Sequence, residues 1–142
     1  MSSPPREIVE MSAKRLGIVP ANTKLDIPRT FDLPYATGVK AGDFIFLSGL
    51  IAVDPASGER AHGTMVSETG LILANMAQIL ESAGSSMAKV VKTTAWLHSM
   101  LELDDFNGAY QKFFSDNPPA RTVAGARVNY GMKVQIDCIA LV

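Results

Sequence analysis

The sequence predicts an α+β domain in which two helices cover one face of a β-sheet. Three observations carry this expectation. Runs rich in β-branched and aromatic residues recur, two stretches return apolar residues at the helical period, and clusters of Gly, Pro, Asn and Asp separate them. Residues 39–40 and 44–48 flank the turn Ala41-Gly42-Asp43, and Asp54-Pro55-Ala56-Ser57-Gly58 is a second turn cluster, so this region reads as a β-meander. Over residues 65–83 the set Ile72, Met76, Ile79, Leu80 and Ala83 repeats at helical spacing, with Thr64 placed to cap the N-terminus and Gly84 to stop the helix. Residues 90–98 form a β-rich run, free of breakers through Thr94. Leu103, Phe106, Tyr110, Phe113 and Phe114 return to the helical period, which predicts a second helix ending before Asn117-Pro118-Pro119. Two last extended segments, around Arg121 and around Gln135, are joined by Asn129-Tyr130-Gly131 and read as a β-hairpin.

Composition bounds the rest. A chain of 142 residues, 47% hydrophobic, suffices for one core and one domain. The net charge of -1 supplies no basic field, so no nucleic-acid partner is expected. A single cysteine, Cys138, rules out an internal disulfide and fits a reducing cytoplasm; it reads as a buried strand thiol. With only His62 and His98 no metal-ligand cluster is recognisable, and both histidines read as structural or exposed. The most apolar stretch, 44–53, is strand-sized and broken by Ser48 and Gly49, so no membrane span is expected. Residues 1–26 read as an N-terminal extension. Ile8, Val9, Met11 and Leu16, after Pro4-Pro5 and before Gly17, fit a short amphipathic helix, and a partly ordered arm fits equally well.

Arg121 and Gln135, fourteen positions apart, carry the chemistry. Arginine offers a planar fork that binds carboxylate through two parallel hydrogen bonds, and a hairpin would bring the guanidinium and the amide into one cleft. The expected partner is a small carboxylate. A sheet covered by helices on one face also leaves its other face open, and a chain this apolar needs a partner surface there, most simply a copy of itself.

Landmarks recur in order along the chain: Leu33-Pro34-Tyr35, the run from Val39 to Gly49, Asn75-Met76 through Glu81-Ser82-Ala83-Gly84, Val90-Val91-Lys92-Thr93-Thr94, Asn107-Gly108-Ala109-Tyr110, Pro119-Ala120-Arg121 and Gln135-Ile136-Asp137-Cys138-Ile139-Ala140. Through them residues 27–142 resemble the Rid family, the YjgF-like reactive-intermediate enamine/imine deaminases once called L-PSP endoribonucleases, and in particular its RidA-like members. The resemblance implies a chorismate-mutase-like fold, a mixed sheet assembling as a homotrimer with clefts between subunits, and hydrolytic deamination of small enamine or imine acids without a cofactor. It assigns Arg121 to the substrate carboxylate and Tyr35 to the aromatic residue of a Gly-Pro-Tyr motif, with Leu33 in place of the glycine. Asn107 and Gly49 fall where the family approaches its ligand, and Leu50 departs from the usual glutamine.

Gln135 is the main departure, because the family usually carries glutamate there. An amide orients a water molecule but takes up no proton. Asp137, two residues along the strand and about 6.5 Å away on the same face, is a possible substitute. The Arg121-to-Gln135 interval is one residue shorter than the family pattern, and Val128-Asn129-Tyr130-Gly131-Met132 replaces its Arg-Leu-Pro turn, which reshapes one wall of the site. The leading expectation is a deaminase whose site residues are Gln135 and Tyr35 for catalysis and Arg121, Asn107 and Gly49 for binding, with a dedicated catabolic enzyme for a conjugated, 2-aminomuconate-type enamine acid as a specialised version. A carboxylate-binding protein without turnover, or tautomerisation or condensation in the same intersubunit cleft, stays open.

Overall fold

The computed structural model describes residues 7–9 and 34–142. Six strands form one mixed sheet in the order β1-β2-β3-β6-β4-β5: β1 (Glu7–Val9), β2 (Gly38–Ala41), β3 (Phe44–Leu50), β4 (Val90–Leu97), β5 (Ala120–Gly125) and β6 (Val134–Leu141). Helices α1 (Met65–Ser82) and α2 (Leu103–Tyr110) complete the α+β fold. All neighbouring strands are antiparallel except β4 and β5, whose parallel pairing requires the crossover that α2 supplies.

Alternation along the strands separates two faces. Ile45, Leu47, Ala95, Leu97, Val134, Ile136, Cys138 and Ala140 are buried and join Ile72, Leu73, Met76, Ile79 and Leu80 of α1 and Phe106 and Tyr110 of α2 in one core. Each fully buried aliphatic side chain is worth about 1.5–3 kcal/mol. Opposite, Phe44, Phe46 and Trp96 are left 40%, 42% and 37% exposed, which makes the helix-free face unusually apolar for a surface in contact with water.

Helix α1 has the ends expected of it. Thr64 Oγ1 accepts from Ser67 N at 3.0 Å while Ser67 Oγ accepts from Thr64 N at 2.9 Å, a reciprocal cap. At the other end Gly84, at φ 85°, lets Ser85 N reach Leu80 O (2.8 Å) and Gly84 N reach Glu81 O (3.1 Å), so the last carbonyls are satisfied. Helix α2 stops earlier than its apolar spacing suggests. It ends at Tyr110, and Phe113 and Phe114 follow in turns that still bring Phe114 into the core.

Two expectations are corrected. Strands β5 and β6 do not form a hairpin, because β4 lies between them. The eight residues 126–133 are too many for a tight reversal. Leu97 O accepts from Ala126 N at 2.9 Å and His98 N donates to Lys133 O at 2.9 Å, so the connection passes around the end of β4. At the other edge Ile8 and Val9 lie in β1, paired with Val39 and Gly38 of β2, and not in a helix; backbone pairing to an open sheet edge outweighs the weak helical pattern. Met11, Leu16, Gly17 and Leu33 lie outside the described residues, as does the 26/27 boundary. Among the described residues no helix is long and apolar enough to cross a membrane.

Candidate active site

The expected site residues fall into two groups. The first stands at the start of β5. Arg121 pairs in register with Thr93 of β4, which is fully buried beneath the helices, so both side chains leave the sheet on its helix-covered side. There Arg121 Nη1 donates to Asn107 Oδ1 at 2.8 Å. The guanidinium carbon lies 4.9 Å from the ring centre of Tyr110 and 5.6 Å from that of Phe106. Positions 106, 107 and 110 share one side of α2, which places the two rings and the amide around one cation. Arg121 itself is exposed.

The second group surrounds a bulge in β3. Leu47 pairs with Cys138 and Leu50 with Ile136, so Ser48 and Gly49 take up one residue more than the facing strand provides. Ser48 uses the bulge to hold the segment before β2: its Oγ donates to Ala36 O at 2.6 Å and its N to Thr37 O at 2.8 Å. Tyr35, 56% exposed, immediately precedes this held segment. Gln135 follows buried Val134 and precedes buried Ile136, which turns it to the helix-free face, and its side chain lies directly across Gly49. A Cβ at position 49 would sit 2.2 Å from Nε2 and 2.7 Å from Cδ. Gly49 is needed because Gln135 occupies the space a side chain would fill.

Arg121 and Gln135 thus leave opposite faces of the sheet in one chain. The single cleft expected from a hairpin is replaced by two separate groups, Arg121 with Asn107 on one face and Gly49 with Gln135 on the other, with Tyr35 just before the segment that Ser48 holds. Asp137 shares the helix-free face with Gln135 and stands opposite Thr94. Burial raises its pKa above the usual carboxylate value, while the Lys92 ammonium and a hydrogen bond from Thr94 act the other way. Cys138 points into the core, where burial and then the neighbouring Asp137 carboxylate push its thiol up to about 12, which removes it as a nucleophile.

Three residues that sequence reasoning did not single out stand beside these groups. The Tyr110 ring lies under the Arg121 guanidinium, and Thr93 is paired with Arg121 across β4 and β5. Glu68 of α1, fully buried, accepts from Lys133 N at 2.8 Å and from Gly63 N at 3.1 Å, with the Lys133 ammonium 3.7 Å away, and so fixes the chain just before Gln135. An acidic residue between Met65 and Ile72 in the apolar stripe was the available signal. The connection before β6 is fixed as well: Tyr130 adopts φ 60°, Arg60 stacks on its ring at 3.4 Å and His62 Nε2 lies 2.9 Å from its carbonyl oxygen. The other histidine, His98, pairs with Glu102. Among the described residues no three His, Cys, Asp or Glu side chains gather as a metal site.

The family described as Endoribonuclease L-PSP matches residues 30–142. A RutC family protein of Pyrococcus horikoshii is 36% identical over 108 residues, covering 75% of this chain and 86% of that protein. The human 2-iminobutanoate/2-iminopropanoate deaminase is 34% identical over 109 residues, covering 76% and 80%. The crystal structure of E. coli TdcF with bound serine superposes with a TM-score of 0.73 at 28% identity, covering 79% of this chain and 91% of that one.

Proposed function

The chain belongs to the Rid family, the YjgF-like group that includes the L-PSP proteins and imine deaminases, and from that premise we propose that it hydrolyses small enamine or imine carboxylic acids to ammonia and a carbonyl product. The observation that carries the reading is the Arg121 guanidinium, seated on aromatic rings and tied to Asn107 with an outward edge free for a carboxylate. Serine, the ligand in the E. coli relative, carries such a carboxylate. The complete site is assembled between copies of the chain: the Arg121 half-site of one subunit meets the Tyr35, Gly49 and Gln135 half-site of another. The apolar helix-free face, with Phe44, Phe46 and Trp96, supplies the surface for a homotrimer.

In this reading Arg121 holds the carboxylate, water adds to the protonated imine carbon, and the resulting carbinolamine loses ammonia as its C–N bond breaks and the C=O bond forms. The nitrogen takes up the proton that the added water gives away. The Gln135 carbonyl accepts from the water and orients it, and the Tyr35 hydroxyl donates to the substrate. Because an iminium is already electrophilic, positioning in a dry cleft supplies most of the acceleration.

The test generates 2-imino acids with an amino-acid oxidase and follows ammonia release. Wild type accelerates release and Arg121→Ala loses that effect. Mixing Arg121→Ala with Gln135→Ala subunits restores activity, since about a quarter of the sites in random mixed trimers are intact. No recovery on mixing refutes the shared site, and no acceleration by wild type refutes the deaminase. One observation favours a second reading: Gln135 cannot act as a base. Intact carboxylate binding with no turnover by wild type, and turnover gained in Gln135→Glu, identifies a binding protein on the same scaffold.

A further inference from the structure

A guanidinium on an exposed strand edge samples many rotamers, and each binding event must then freeze one of them. Arg121 is exposed, yet two aromatic rings and an amide stand against its guanidinium. The Tyr110 ring lies beneath it, 4.9 Å from the guanidinium carbon, and is only 6% exposed. Phe106 and Phe114 pack against that ring at 5.4 Å and 4.7 Å between centres. At its far end the Tyr110 hydroxyl lies 2.7 Å from the Thr93 hydroxyl. Thr93 is in turn the residue of β4 paired with Arg121 of β5, so a closed triangle runs from strand to helix and back to the arginine.

We infer that Tyr110, held by Thr93, is a positioning residue for the Arg121 guanidinium and thereby sets the affinity for the substrate carboxylate; the inference rests on the carboxylate-binding reading of Arg121. The ring attracts the cation through its negative face and blocks one side of it. Asn107 occupies one N–H of Nη1, so the donors on the outer edge remain as a fork lying in a fixed plane. Tyr110 itself supplies no proton: burial, against the Thr93 hydrogen bond and the Arg121 charge, leaves its pKa raised, so the phenol stays protonated at neutral pH. Its contribution is to hold the arginine in the geometry that a carboxylate needs.

Calorimetric titration with 2-oxobutanoate and with its carboxamide separates this role from a merely structural one. Tyr110→Leu, which removes the ring, weakens 2-oxobutanoate binding by roughly 5- to 30-fold. Tyr110→Phe and Thr93→Val, which break the hydroxyl pair, weaken it by about 2- to 5-fold. Carboxamide binding is unchanged in all three, and none has a further effect when Arg121 is already alanine. Unchanged 2-oxobutanoate affinity in Tyr110→Leu, or equal losses for the acid and the amide, overturns the inference. Should Tyr110→Leu not fold, unchanged affinity in both Tyr110→Phe and Thr93→Val overturns it. Failure of the underlying reading looks different, because Arg121→Ala then binds 2-oxobutanoate as tightly as wild type.

Discussion

Replacing Gly49 with alanine adds a single methyl group, and the structure gives its consequence atom by atom. The new Cβ would stand 2.2 Å from Gln135 Nε2, 2.7 Å from Cδ and 2.9 Å from Cγ. Moving the amide tip alone does not relieve contacts that extend to Cγ, so the whole Gln135 side chain must swing to another rotamer. Position 49 is not among the left-handed backbone positions, so alanine meets no backbone strain there. An altered χ angle costs on the order of 0.5–1.5 kcal/mol, a small part of the stability of a domain this size. If Gln135 orients the attacking water as proposed, that group is displaced by more than about 1 Å, a misplacement that costs about 100-fold in rate.

Gly49→Ala should therefore lower kcat/KM for 2-imino acid hydrolysis by roughly 10- to 100-fold while the melting temperature falls by no more than about 5 °C. The double variant Gly49→Ala/Gln135→Ala decides the cause. With the long side chain gone the methyl has room, so the double variant should be no slower than Gln135→Ala alone. Full activity in Gly49→Ala would refute the reasoning. So would a loss that adds to that of Gln135→Ala, because the glycine would then serve the ligand directly and not the glutamine.

Two further outcomes follow from buried groups. Cys138 should resist a thiol reagent at pH 8, reacting on the order of 10³-fold more slowly in the native protein than in denaturant, because its thiol is buried and its pKa is pushed up to about 12; rapid labelling of the native protein contradicts that placement. Glu68→Gln should lower stability by about 2–3 kcal/mol in denaturant titration, since an amide offers one oxygen to the two N–H groups of Gly63 and Lys133 and sets an NH2 against the other, and stability equal to wild type removes Glu68 from its bracing role.

Local patterns were legible where local forces decide. The span of α1, its Thr64 cap and its Gly84 stop follow from spacing and end chemistry, and the β2–β3 hairpin follows from Gly42, which takes φ 58°. The partner of β5 was not legible, because pairing depends on contacts distant in sequence. A parallel partner reached through α2 leaves the same period-two pattern as a hairpin partner. The apolar spacing overextends α2, because Phe113 and Phe114 continue it after the helix has stopped, and Phe114 reaches the core from a turn.

The site shows the same division between composition and arrangement. Arg121 and Gln135 could be singled out because their side chains suit the chemistry, and Asn107 and Gly49 through the family resemblance; which of them share a surface depends on register. Arg121 pairs with Thr93 and Gln135 with Trp96, three positions apart on β4. An odd separation along a strand sends side chains to opposite faces, so no adjustment of the 126–133 connection could place both groups on one side of the sheet. Within one subunit the guanidinium lies with the helices and the amide with the apolar open face. If hydrolysis needs both, the sheet geometry itself requires a second copy of the chain. Recovery of activity on mixing Arg121→Ala and Gln135→Ala subunits is therefore a test of strand register as much as of catalysis.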